Sequence, residues 1–183
     1  MSKLRFRFYL KIFLFTLLFF LFCGFETSFW PNIIGFLPAP QLWLLMIFFI
    51  AIKWETIFAI FYIYFLGFCM TRFTYMPLKM AWTTLLVVSG ILASLKNRIH
   101  LGQIMTFAAF TFFGSILYQI CYIGFSYWLE KTPTSLYVLD RLSIFLMNFI
   151  FCYPVYAVLN YFDQIFYSDM NWSHTPERPE VEP

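Results

Sequence analysis

From Phe8 to Phe162 the sequence is a succession of six apolar runs, near residues 8–25, 40–52, 56–70, 78–95, 101–129 and 137–162. Short turns carrying charges or prolines separate them: Pro31, Pro38 and Pro40; Lys53 and Glu55; Arg72 and Pro77; Lys96, Arg98 and His100; Glu130, Lys131 and Pro133. Few folds accept such a pattern. A soluble domain is about half apolar and a quarter charged, whereas this chain of 183 residues is 62% hydrophobic and 11% charged, with 27 phenylalanines. It belongs in lipid. The strands of an outer-membrane barrel would alternate apolar and polar residues, and "FLFTLLFFLF" (residues 13–22) does not. The expected fold class is therefore an all-α membrane protein, a bundle of six transmembrane helices. Residues 1–7 form a basic cytoplasmic N-terminus and 8–163 the transmembrane domain. The acidic, proline-rich 164–183 stretch, which includes "SHTPERPEVEP", forms a disordered cytoplasmic tail.

The basic Lys3, Arg5 and Arg7 ahead of the first run resemble the start of a signal peptide. The run is longer than a typical signal core and no small-x-small cleavage site follows, so it reads as a retained first helix. The second run is the difficult one. From Pro40 to Ile52 a helix reaches roughly 20 Å, against a hydrocarbon core of about 30 Å. With all six runs spanning, Lys3, Arg5, Arg7, Lys11, Lys53, Lys96, Arg98 and Arg178 lie on the cytoplasmic side. Arg72, Lys79, Lys131 and Arg141 lie outside, as the positive-inside rule requires. If the second run does not span, every later loop changes side and the bias hardly alters. Desolvation decides instead. A re-entrant hairpin, or one long helix through runs two and three, would carry Lys53 and Glu55 into hydrocarbon at about 2.5–3.5 kcal/mol each. A short span costs a fraction of a kcal/mol per Å of mismatch, and Lys53 can snorkel to the headgroups. The second run is expected to cross, with both termini in the cytoplasm.

Trp30, Trp43, Trp82 and Trp128 at outer run ends, and Trp54 at an inner one, fit an aromatic belt. In the fourth run Gly90 and Ser94, with Ser89 and Ala93, make a small-xxx-small face suited to close helix packing.

Chemistry at depth needs ionisable groups there, and the charges of this chain cluster at run ends. Lys11 can snorkel, and Asp140 and Arg141 open the last run. The deep polar residues are Thr16, Ser89, Thr106, Thr111, Ser115, Gln119, Ser143 and Asn148, none of them a nucleophile beside a base. Gln119 and Asn148 suit hydrogen bonds between helices. His100 reads as solvated and His174 lies in the tail. Cys23, Cys69, Cys121 and Cys152 lack the close spacing of zinc or redox motifs and read as small apolar residues. "GQIMTFAAFTFFG" lacks the Lys-Ser/Thr of a phosphate loop. A formal charge of +3, scattered along the chain, does not suit nucleic acid. No enzyme, metal or cofactor is expected. A helix bundle of this kind works by holding other proteins.

At this point a family resemblance enters. "LPAPQLWLLMIFFIAIKWE" resembles the second segment of the MreD rod-shape-determining proteins. "LGFCMTRFTYMPLKM" is similar to their following Leu-Gly … Pro-Leu stretch, with Gly67, Pro77 and Leu78 in place. "LKNRIHLGQ" resembles their basic turn, Tyr118 and Gln119 fit the fifth segment, and Asn148 and Pro154 match the Asn … Pro spacing of the last helix. The likeness covers roughly residues 10 to 163. Thr71 stands where the family often has Asp, and Lys79 where it has Gly.

The resemblance implies a scaffold of the bacterial elongation machinery in the inner membrane. Its partners would be membrane lipids, an MreC-like bitopic protein and cell-wall synthases, and self-association into a homo-oligomer is compatible with it. It also implies a fold similar to the substrate-binding subunits of energy-coupling-factor transporters. The alternative function is then a small-molecule-binding subunit of such a transporter, which needs convergent polar groups near the outer face. Glu26, Thr27, Ser28, Asn32 and the Thr132–Ser135 turn are the outer-loop candidates.

Overall fold

The computed structural model describes residues 2–74, 76–96, 103–130 and 138–167, and every regular element among them is helical. The principal helices are α1 (Ser2–Gly24), α2 (Trp30–Ile33), α3 (Leu42–Lys53), α4 (Thr56–Met70), α5 (Leu78–Leu95), α6 (Gln103–Leu129) and α7 (Val138–Tyr167). Four stretches, Phe6–Ile33, Leu78–Leu95, Ile104–Leu129 and Val138–Phe166, are long and apolar enough to cross a membrane. Helices α3 and α4 are shorter, at 12 and 15 residues.

The first helix does not stop at Phe25. It continues through a π-helical turn, Phe25–Phe29, directly into α2. Pro31 explains the turn. Proline has no N–H, and its ring clashes with the carbonyl four residues back, here that of Thr27. The wider turn, in which the Trp30 N–H reaches the Phe25 carbonyl, lets the helix pass the proline. Glu26, Thr27, Ser28 and Asn32 therefore lie on a helical extension and not in a loop.

Helix α3 is the axis of the molecule. It packs against α1, α4, α5, α6 and α7, which close a ring around it through the neighbouring pairs α1–α4, α4–α5, α5–α6, α6–α7 and α7–α1. All ten residues from Leu42 to Ala51 are buried, none more than 5% exposed. This explains why the run is apolar all round and why it can be short. A helix enclosed by protein has no lipid thickness to match, so its length answers only to the groups at its two ends. Outside the ring, Phe13, Leu17, Leu21, Phe61, Phe113, Ile120, Leu146 and Ile150 are exposed, as a lipid-facing surface requires.

Where glycines lie determines how closely the ring can pack. A Cβ on Gly114 would stand 2.9–3.2 Å from the Phe48 ring, and one on Gly67 would stand 3.0 Å from Leu85 Cδ1 and 3.4 Å from Trp82 Cδ1. Each glycine lets a large side chain of a neighbouring helix lie against its backbone. Gly90 differs. A Cβ there would meet nothing within 4 Å, and Ser94 beside it is exposed with its hydroxyl bonded back to the Gly90 carbonyl at 2.9 Å. Ser89 is buried and Ala93 half-buried.

The tryptophans divide differently from a belt. Trp30, Trp43 and Trp54 are buried, Trp82 is partly buried and Trp128 is 80% exposed. Trp54 stacks on Tyr62 and Phe58 at 5.1 and 5.5 Å and fills the space under α3. Lys11 pairs with Asp163 at 2.6 Å, so the first and last helices are joined by charge at that end. There the Lys96 ammonium also donates to the Trp54 carbonyl at 2.9 Å; partial burial pulls it below the ordinary lysine range, opposed by Glu55. Helix α7 runs through Asp163 to Tyr167, so residues 164–167 belong to it and not to a tail. Likewise the basic N-terminus is the first turns of α1. Residues 168–183 lie outside the described residues, as do Arg98, His100, Lys131 and the Thr132–Ser135 turn.

Candidate functional site

Two cavities cap α3, and both include charged residues in their lining. The larger has a volume of about 660 Å³ and is lined by Glu26, Gln41, Trp43, Met70, Thr74, Met76, Pro77, Lys79, Tyr118, Tyr122, Glu130 and Arg141. These residues come from the end of the α1–α2 extension, the start of α3, the end of α4, the start of α5, the end of α6 and the start of α7. All six long segments thus meet at one end of the bundle. The smaller cavity, about 440 Å³, lies at the opposite end of α3 and is lined by Phe8, Lys11, Ile12, Lys53, Trp54, Glu55, Phe58 and Asp163.

Gln41, which follows Pro38 and Pro40, lines the large cavity. Pro40 cannot donate a backbone hydrogen bond, and α3 begins only after Gln41. The backbone N–H of Gln41 would then be an orphan donor next to a buried helix start. Asn148 of α7 supplies the acceptor. Its Oδ1 takes the Gln41 N–H at 2.7 Å, while its Nδ2 donates to Gln41 Oε1 at 3.3 Å and, at 3.5 Å, to Ser115 Oγ of α6. One fully buried amide thereby ties α3, α6 and α7 together.

Gln119 does comparable work at the rim. Its Oε1 accepts from Arg141 Nη1 at 2.8 Å, bridging α6 and α7. The Arg141 guanidinium also lies 5.5 Å over the Tyr122 ring. Tyr118 and Tyr122 stack at 6.1 Å, and Trp43 meets Tyr118 edge-on at 5.6 Å, so three rings form one aromatic wall. Lys79 Nζ donates to the Leu129 carbonyl, and Ser126 Oγ donates to Glu130 Oε2 at 2.9 Å.

Glu26 stands apart from these. Trp43 is its neighbour in the cavity lining, and one carboxylate oxygen, Oε2, is buried with no hydrogen-bond donor from the protein. It sits within the π-helical turn; such turns are rare and often found at functional sites.

The residues singled out from sequence divide three ways. Pro77 lines the large cavity and its carbonyl starts α5, accepting from Met80 and Ala81 at 2.9 and 3.1 Å. Gln119 and Asn148 support the cavity through Arg141 and Gln41. Gly67, Ser89, Gly90, Ala93 and Ser94 lie on α4 and α5 away from it, and Pro154 is an exposed position inside α7. Of the two departures from the resemblance, Lys79 lines the cavity, while Thr71 caps the end of α4 through a 2.8 Å bond to the Phe68 carbonyl. Sequence reading passed over Trp43, Tyr122, Glu130 and Arg141 as members of one site. The available signal was Glu26, the only acidic residue before Glu55.

With two carboxylates, two cations, amides and an aromatic wall, the cavity is equipped to hold a polar small molecule or a lipid headgroup. Among the described residues, no cluster of His, Cys, Asp and Glu has the makings of a metal site. No protein-family model, curated protein or solved structure matches the chain.

Proposed function

We propose that this protein is a non-enzymatic scaffold of the MreD type in the bacterial inner membrane. In this reading six helices cross, α3 and α4 as short spans, with both termini in the cytoplasm. An MreC-like bitopic protein docks on the outer face of the ring, and through it cell-wall synthases are coupled to side-wall growth. The observation that carries the reading is the Asn148–Gln41 staple. Two of the elements that give the resemblance, the proline-led second segment and the asparagine of the last helix, hold the central helix in place. Gly67, Pro77 and Tyr118 likewise sit at tight packing or cavity-lining positions. A short α3 also ends with Lys53 and Glu55 at a cavity that they line with Lys11 and Asp163, rather than carrying them into hydrocarbon. Mild-detergent pull-down with mass spectrometry tests the proposal. MreC-like and synthase partners in the eluate, and rounding of cells on depletion, are expected. An eluate without them, and normal shape after depletion, would oppose it.

The large cavity favours a second reading, a small-molecule-binding subunit similar to those of energy-coupling-factor transporters. With the N-terminus inside, the cavity opens outward, and 660 Å³ is room for a drug-sized ligand. Recovery of a pair of ATPases in the same pull-down would move the conclusion to this reading.

A further inference from the structure

We propose that the large cavity is a binding site for a small molecule or headgroup bearing a primary ammonium, with Glu26 as the anionic anchor. This deepens the second reading by naming the ligand chemistry, and it leaves the scaffold reading untouched, since a scaffold can hold a ligand.

The other three charged groups of the cavity already have protein partners. Arg141 is held by Gln119 and lies on Tyr122; Lys79 is held by the Leu129 carbonyl; Glu130 receives the Ser126 hydroxyl. For Glu26 no side-chain hydrogen bond of this kind is formed at Oε2, which is buried without a protein donor. A carboxylate so placed is costly to keep charged unless a cation or donor completes it. An ammonium with three N–H donors fits that need. The wall beside it also suits a cation, because aromatic faces attract positive charge, and Tyr122 already carries the Arg141 guanidinium in this way. Trp43 belongs to both features: it lines the cavity with Glu26 and its ring meets Tyr118. Carboxylate and wall are therefore adjacent.

The probe pair is tyramine, which carries a ring and a primary ammonium, and 4-ethylphenol, which has the ring alone. Calorimetric titration of the purified protein in phosphatidylglycerol nanodiscs should show saturable tyramine binding and none of 4-ethylphenol. Glu26→Gln, which keeps the shape and removes the charge, should weaken tyramine by about tenfold or more. Asp140→Asn, at an exposed position outside the cavity, should not. A second arm uses native mass spectrometry from mixed phosphatidylethanolamine and phosphatidylglycerol nanodiscs. Retention of phosphatidylethanolamine that is lost in Glu26→Gln identifies a lipid headgroup as the source, and Glu26-dependent binding of tyramine alone identifies a free amine. Binding in neither arm, or binding that Glu26→Gln leaves unchanged, overturns the inference. Equal binding of 4-ethylphenol also overturns it, while keeping the cavity as a ligand site and so sparing the second reading.

Discussion

Asn148 and Gln41, 107 positions apart in sequence, exchange two hydrogen bonds at 2.7 and 3.3 Å, and the asparagine is fully buried. The pair fixes where the central helix begins. Removing the amide would orphan a backbone N–H between packed helices, a loss of about 1–2 kcal/mol once the modest strength of bonds between membrane helices is allowed for. Asn148→Ala should therefore lower the unfolding midpoint in detergent, and Asn148→Asp should not restore it, because a fully buried carboxylate facing Gln41 Oε1 costs more than the one bond it would accept. Equal midpoints for Asn148→Ala and the unaltered protein would show that the staple is energetically idle.

The glycines give contrasting predictions at two sites. Gly114→Leu must displace Phe48, whose ring would lie within 3.2 Å of the first added carbon. Overpacking of this kind costs about 1–3 kcal/mol. At Gly90 the first added carbon meets nothing within 4 Å, and Gly90→Leu should leave the isolated protein as stable as before. Thermal melts of both variants decide the matter, and the reverse order of stability would be fatal to the packing described. Any loss of partner capture in Gly90→Leu would then report on the outside of the ring and not on the bundle itself.

The Lys11–Asp163 pair joins α1 to α7 at the smaller cavity, with side chains only 12% and 14% exposed. Breaking one side of a largely buried pair leaves an uncompensated charge, whereas replacing both with apolar residues is often neutral. Lys11→Met and Asp163→Leu should each destabilise by about 2 kcal/mol, and the double variant should recover most of that loss. Strictly additive losses in the double-mutant cycle would mean that the two charges do not interact.

Much of the fold could be read from the sequence, because charges and prolines mark helix ends more sharply than periodicity marks helix faces. The boundaries at Leu42, Thr56 and Leu78 follow Pro40, Glu55 and Pro77 closely. Pro31 misled for a physical reason: proline usually ends a helix, but a π-helical turn ahead of it relieved the clash. The buried tryptophans misled because position at a run end does not tell whether a side chain points to lipid or inward, as Trp54 under α3 shows. The large cavity was out of reach for a related reason. Glu26, Lys79, Glu130 and Arg141 look like unrelated run-end charges in the sequence, and only the arrangement of the ring around α3 brings them to one place.

The orientation of that ring is tested most directly by two single cysteines in a protein lacking Cys23, Cys69, Cys121 and Cys152. Lys79→Cys, at the large cavity, should react with a membrane-impermeant maleimide in intact cells. Lys53→Cys, at the far end of α3, should react only after the cells are opened. Labelling of Lys53→Cys from outside, or of both positions from one side, would contradict a short central helix that crosses the membrane between the two cavities.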